Sequence, residues 1–364
     1  MPSRHRSVLP HVLAVAYGLA IVYASLQPFG PWIATPPGTP FFLFAWASAR
    51  YTRFDVLANV LAYLPLGFFV SLVPRRQDPW GRFAVALATG AALSFAMESL
   101  QMLLPPRDAN VIDLVSNSVG AAFGGAFGVM FAFSARARQA ISAARHRWFL
   151  GGKFGDLGLA LIVVWLVVQV NPGIPLFATM FDPATELPAL PGVNTSGMTA
   201  DVATALVEAA HSAFQLLGVG LFLALLLRER RFVGGAVLML LAAAVMMKGL
   251  AAALLLNPIV FERWLRPGVS TGVAVGTLFL MFAIWLPRPA QVAIATVALL
   301  SSLLATLLAP ELIFTRAPLA LFNWSYGHLL NFNGLTHTVL LLWPVAASAF
   351  LFALAGRPGW GDPR

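Results

Sequence analysis

Apolar runs of membrane-crossing length recur along the whole chain, separated by short polar connections. A bilayer-spanning helix needs about 20 predominantly apolar residues. Ten segments meet or approach that length: 11–27, 56–73, 83–104, 112–133, 157–171, 203–227, 233–256, 268–286, 290–309 and 335–355. This pattern predicts an all-α fold, a polytopic transmembrane helix bundle of about ten spans. Most of the runs are free of charge. The second, third and fourth differ, because Asp55, Asn59, Glu98, Gln101, Arg107, Asp113 and Asn117 lie in them or at their edges. Ionisable groups within hydrocarbon cost several kcal/mol, roughly 2.5–3.5 each on insertion scales, so such a cluster points to function.

Composition sharpens the class. The chain is 59% hydrophobic and 10% charged, with a mean hydropathy of +0.81. Soluble domains carry about 25% charged residues, so a soluble globular protein is excluded. The formal net charge of +9 comes from basic residues in short connections. That distribution reports membrane topology rather than a nucleic-acid surface. With the N-terminus in the cytoplasm, 16 of the 23 Lys and Arg fall on the cytoplasmic side, 6 fall outside, and Lys248 lies within a helix. Asp182, Glu186 and Asp201 share an outer connection that has no Lys or Arg. Both termini are therefore expected in the cytoplasm, with 28–54, 172–201 and 310–334 as the long outer connections. No convincing small-x-small cleavage site follows the first apolar run, so it reads as a retained span.

Cysteine is absent, which excludes disulfides, thiolate metal sites and cysteine nucleophiles. The chain contains no P-loop, GxGxxG, HExxH or GxSxG motif, and neither a cofactor nor a metal is expected. Glu208 and His211 are three residues apart and could ligate a metal, but two ligands make a poor zinc site. A packed polar pair is the plainer reading, with Lys248 neutralising Glu208. His337 reads as a lone hydrogen bonder.

Three parts are expected: a four-helix membrane domain over 1–135, a basic cytoplasmic linker over 136–155, and a second bundle of about six helices over 156–364. The linker carries Arg136, Arg138, Arg145, His146, Arg147 and Lys153 and suits the anionic inner membrane surface. Asp55-x3-Asn59 and Asp113-x3-Asn117 share a spacing, and SVGAAFG (118–124) resembles STGVAVG (270–276). The second match leaves open that the second bundle is a degenerate copy of the first, one that has lost the polar cluster.

Helical spacing places the cluster on faces. Asp55, Asn59 and Tyr63 form a stripe on the second span, and Gly90, Ser94, Glu98 and Gln101 form one on the third. Asp113, Asn117, Gly120 and Gly124 form another on the fourth, where glycine permits close helix approach. Glu98 is set about 9 Å below the outer helix end at 1.5 Å per residue. Pro105 and Pro106 stop the third helix, and Arg107 in the tight turn is expected to fold back on Glu98, directly or through water. The candidate pocket is Asp55, Asn59, Tyr63, Glu98, Gln101, Arg107, Asp113 and Asn117, beneath a lid made from 28–54. Plainer roles exist for single members. Asn59 and Asn117 could join helices, Asp113 could cap the fourth helix, and Arg107 could pair with Asp108.

The run D-VLA-N-VLAYLPLGFF, then SFAMESLQ, then RDANVIDLVSNSVG resembles the VanZ-like family over residues 10–135, as does an opening helix ending in SLQPF. The resemblance implies a small multi-helix membrane domain. It also implies a cell-envelope role like that of the type member, which is associated with reduced susceptibility to the glycopeptide teicoplanin. Residues 136–364 fall outside it. The combined reading is a multi-pass protein of the bacterial cytoplasmic membrane whose outer-leaflet pocket binds a lipid or glycan headgroup. Its partners would be membrane lipids and lipid-linked envelope precursors, not nucleic acid. Two alternatives stay open. One is an intramembrane hydrolase or transferase using Glu98 as acid or base, with Arg107 holding a phosphate or carboxylate. The other is a transporter.

Overall fold

The computed structural model describes residues 7–27, 29–45, 51–73, 78–105, 107–171, 200–255, 267–308 and 326–357. Among these residues the secondary structure is helical, apart from one isolated bridge between Phe149 and Leu227. The helices are α1 (Leu9–Leu26), α2 (Arg53–Leu72), α3 (Pro79–Gln101), α4 (Val111–Phe133), α5 (Ala135–Trp148), α6 (Gly152–Val168), α7 (Ala200–Leu226), α8 (Val233–Leu255), α9 (Pro267–Ala283), α10 (Arg288–Leu308) and α11 (Tyr326–Ala355). Each of the ten expected apolar segments overlaps a helix over most of its described length. Seven are long and apolar enough to cross a membrane, in α1–α4, α7, α8 and α11. The apolar helices over Gly268–Ala283 and Arg288–Leu304 are shorter, and α6 has 17 residues.

One boundary needs correction. Residues 326–334, expected as the end of an outer loop, are the first turns of α11. No proline intervenes between Tyr326 and Pro344, and propagating an existing helix adds one hydrogen bond for each residue fixed. Most of the 172–201 connection and residues 309–325 lie outside the described residues.

The chain divides into two compact units, Met1–Arg147 and Trp148–Arg364. In the first, local sequence sets the helix starts. Thr52 and Asp55 form a reciprocal capping box on α2. The Asp78 carboxylate accepts from Trp80 and Gly81 at the start of α3, with Pro79 in the first turn. The Asn110 side chain accepts from the Ile112 N–H at the start of α4.

α4 lies closest to α2 and also packs on α3. Its glycines set that distance. A Cβ on Gly120, Gly124 or Gly128 would collide with the carbonyls of Val60, Leu64 and Phe68 in turn. α1 leans on α2 through Tyr17 and Phe69, whose ring centroids are 6.3 Å apart. α5 follows directly, with Ser134 accepting from the Ala137 N–H. It is a basic helix with no buried residue among its 14.

The second unit has its own core, where Phe222 packs between Trp343 and Phe350. The Trp343 indole donates to the Leu161 carbonyl at 2.7 Å. Here α9 packs on α7, and Gly268, Gly272 and Gly276 lie over the carbonyls of Ala205, Ala209 and Ala213. α10 packs on α7 and α11, and α11 also packs on α6.

Candidate functional site

At one end of the first unit, α1 and α3 finish while α2 and α4 begin. The polar residues of the three middle helices collect there. Asp55 is spent partly on the capping box, where one carboxylate oxygen accepts the Thr52 N–H at 2.8 Å. One turn on, Asn59 Nδ2 donates to Asp113 Oδ1 at 2.8 Å and joins α2 to α4. Asp55 and Asp113 lie within electrostatic reach of each other. Deeper in, Asn117 Nδ2 donates to Ser94 Oγ at 2.9 Å and joins α4 to α3.

Glu98 is only 4% exposed. Its Oε2 accepts the main-chain N–H of Asn110 at 2.8 Å. A carboxylate from α3 thereby anchors the entry of α4, where N–H groups have no partner within the helix. The Tyr63 hydroxyl from α2 lies within electrostatic reach of Glu98 and Asp113. It is buried beside Ser94, and the buried Asn117 Oδ1 has no hydrogen-bond partner.

Gln101 and Arg107 do different work. Gln101 Nε2 donates to the Ser25 carbonyl at 2.8 Å. Arg107 donates from Nε to the Gln27 carbonyl at 3.2 Å and from Nη2 to the Ala24 carbonyl. Both cap the carbonyl-rich end of α1, where a cation is favoured. The guanidinium is pulled below its usual range by burial, opposed by the nearby Glu98 and Asp113 carboxylates. Of the Arg107–Glu98 interaction expected directly or through water, no direct ion pair forms. Glu98 holds a main-chain N–H, and Arg107 holds α1 while acting on Glu98 through space. The carbonyls draw Arg107 because it is the strongest donor at a helix end that lacks partners of its own.

The segment 29–45 covers part of this end. Phe42 is 2% exposed and packs at a tilt against Phe95 of α3, with centroids 5.8 Å apart. The Ile33 N–H donates to the Leu103 carbonyl at 2.9 Å. Asn110 escaped the sequence reading, although a polar residue just before an apolar run is the ordinary N-cap signal.

The second unit buries a separate polar set. Lys248 Nζ donates to the Asn171 carbonyl at 2.8 Å, and Asn171 Nδ2 donates to Thr336 Oγ1 at 2.8 Å. His211 meets Ser302 Oγ at 3.3 Å, and Gln215 Nε2 donates to the same hydroxyl at 2.6 Å. The expected Glu208–His211 pair is thus not formed, because α10 presents Ser302 to that face of α7. Among the described residues no three His, Asp or Glu side chains converge into a group that could hold a metal ion.

A helical bundle with several membrane-length helices and a buried polar cluster defines a multi-pass membrane protein. Residues 12–133 match the family model described as VanZ/LLP1, so the first unit carries a VanZ-like domain. No curated protein and no solved structure matches the chain.

Proposed function

We propose that the VanZ-like unit binds the headgroup of a cell-envelope lipid or lipid-linked glycan in the outer leaflet of the bacterial cytoplasmic membrane. One observation carries this reading. Buried polar residues Tyr63, Ser94, Glu98 and Asn117, with Asp113 beside them, gather at one end of four apolar helices, and the Asn117 carbonyl oxygen has no partner in the fold. A fold gains nothing by burying such an atom unpaired, at about 1–3 kcal/mol. With both termini cytoplasmic, the end where α3 meets α4 faces outward. Glu98 already anchors Asn110, which favours binding over an intramembrane hydrolase or transferase. Purified protein should retain one lipid class through detergent exchange, and Asn117→Leu should release it. Identical lipid profiles for both proteins would refute the reading.

The transporter reading gains from a second observation. The α4 glycines over α2 and the α9 glycines over α7 repeat one device. Gln101 and Lys248 likewise both reach the carbonyl at the end of the first helix of their unit, Ser25 and Asn171. The second unit then reads as a diverged copy of the first, an arrangement many transporters share. Uptake or export by reconstituted vesicles, absent from a Lys248→Met variant, would establish it.

A further inference from the structure

The donors and acceptors around Asn117 do not balance. The Asn117 amide gives its N–H to Ser94 Oγ, so the group left unpaired is its carbonyl oxygen, an acceptor, on a residue 5% exposed. The neighbouring carboxylates add to the surplus. Asp113 accepts from Asn59 through Oδ1, and Glu98 accepts from Asn110 through Oε2. Each has a second oxygen and a second set of lone pairs. Asp55 contributes a third carboxylate within reach of Asp113. Arg107 is the cation near Glu98 and Asp113, and it directs Nε and Nη2 toward α1. The Tyr63 hydroxyl, on a residue 4% exposed, lies by Ser94 and can donate or accept.

A phosphate or carboxylate entering this site would meet acceptors and like charge. An ammonium would meet the reverse, since it supplies three N–H donors, a positive charge and no acceptor. We infer that the VanZ-like unit takes the primary ammonium of an aminated membrane-lipid headgroup, held between Asp113, Asn117 and the Tyr63 hydroxyl. This rests on the headgroup reading above and replaces the expectation that Arg107 holds an anion. Each N⁺–H···O bond is charge-assisted and roughly twice as strong as a neutral one. The phosphate of the same lipid would stay on the solvent side of the ammonium.

The full chain, purified in detergent, is tested by native mass spectrometry against three lipids with matched acyl chains. Phosphatidylethanolamine supplies a positive charge with N–H donors, phosphatidylcholine a positive charge without donors, and phosphatidylglycerol hydroxyl donors without a positive charge. The wild type is expected to retain phosphatidylethanolamine about tenfold over the other two. Asp113→Asn and Tyr63→Phe are expected to erase that preference. Tyr63→Phe removes one hydroxyl and keeps the packed ring, so it reads out binding even if Asp113→Asn fails to fold. Equal retention of phosphatidylcholine, or a preference for phosphatidylglycerol, overturns the ammonium assignment and leaves a headgroup site standing. An undiminished preference in Tyr63→Phe and Asp113→Asn also overturns it. Retention of none of the three by the wild type overturns the ammonium assignment, and identical co-purifying lipids in Asn117→Leu and wild type would remove the headgroup reading with it.

Discussion

Gln101 donates to the main-chain carbonyl of Ser25 at 2.8 Å, across 76 residues of sequence. With Arg107 on Ala24 and Gln27, it means that side chains from the α3–α4 hairpin close the end of α1. Carbonyls in the last turn of a helix have no partner within it. Arg107→Ala is expected to destabilise the first unit by about 1.5–3 kcal/mol, the range for hydrogen bonds to a charged group. Arg107→Lys should recover only part of this, because an ammonium cannot span two carbonyls as a guanidinium fork does. Thermal unfolding in detergent checks both, and equal midpoints for all three proteins would contradict the capping role.

Asn59 and Asp113 provide the link between α2 and α4 above the glycine stripe. A double-mutant cycle with Asn59→Leu and Asp113→Leu should give a coupling of about 0.5–3 kcal/mol. Strictly additive effects would show that the two side chains do not hold each other.

The glycine stripes predict the steepest stability losses. At Gly124 a side chain would strike the Leu64 carbonyl, and at Gly272 it would strike the Ala209 carbonyl. Backbone cannot yield as a flexible side chain can, so Gly124→Val and Gly272→Val should each cost at least the 1–3 kcal/mol typical of overpacking. Gly234→Val is the control, since nothing lies within 4 Å of a Cβ placed there. Expression and melting of the three variants decide the matter, and a Gly124→Val protein as stable as the control would refute close packing.

The helices were legible because length and apolarity are local properties. The three polar stripes were legible because residues three and four apart share a face. The partners were not. Glu98, Gln101 and Arg107 all bond to main-chain groups, and a backbone N–H or carbonyl leaves no mark in the sequence. Reading Arg107 as the partner of Glu98 followed charge, while the structure followed the unpaired carbonyls of α1. The His211 reading failed for a related reason: Ser302 lies 91 residues away on a helix whose packing on α7 no local pattern announces. The start of α11 was missed because residues 326–334 are less apolar than the run that follows, though none of them breaks a helix as proline does.

Topology is checked with introduced cysteines, because the chain has none of its own. Thr39 precedes α2, and Ser142 lies on the exposed basic helix α5. Thr39→Cys should react with an impermeant maleimide on intact cells, and Ser142→Cys only after permeabilisation. The opposite result would invert the orientation and turn the candidate site toward the cytoplasm.

Glu98 separates structure from charge. Its Oε2 accepts the Asn110 N–H, a role that a neutral amide oxygen can keep. Glu98→Gln should therefore fold with a melting point close to wild type. Glu98→Leu removes the acceptor and leaves a buried N–H unpaired at the entry of α4, at a cost of about 1–3 kcal/mol. The charge is a separate matter. If the carboxylate helps to attract a cationic headgroup, Glu98→Gln should weaken lipid retention while leaving stability intact, and Glu98→Asp, a carboxylate one methylene shorter, should bind better than Glu98→Gln. Melting curves and lipid retention measured on the same three preparations distinguish the roles. Should Glu98→Gln retain lipid as well as wild type, Glu98 is a packing anchor for α4, and recognition rests with Asp113, Asn117 and Tyr63.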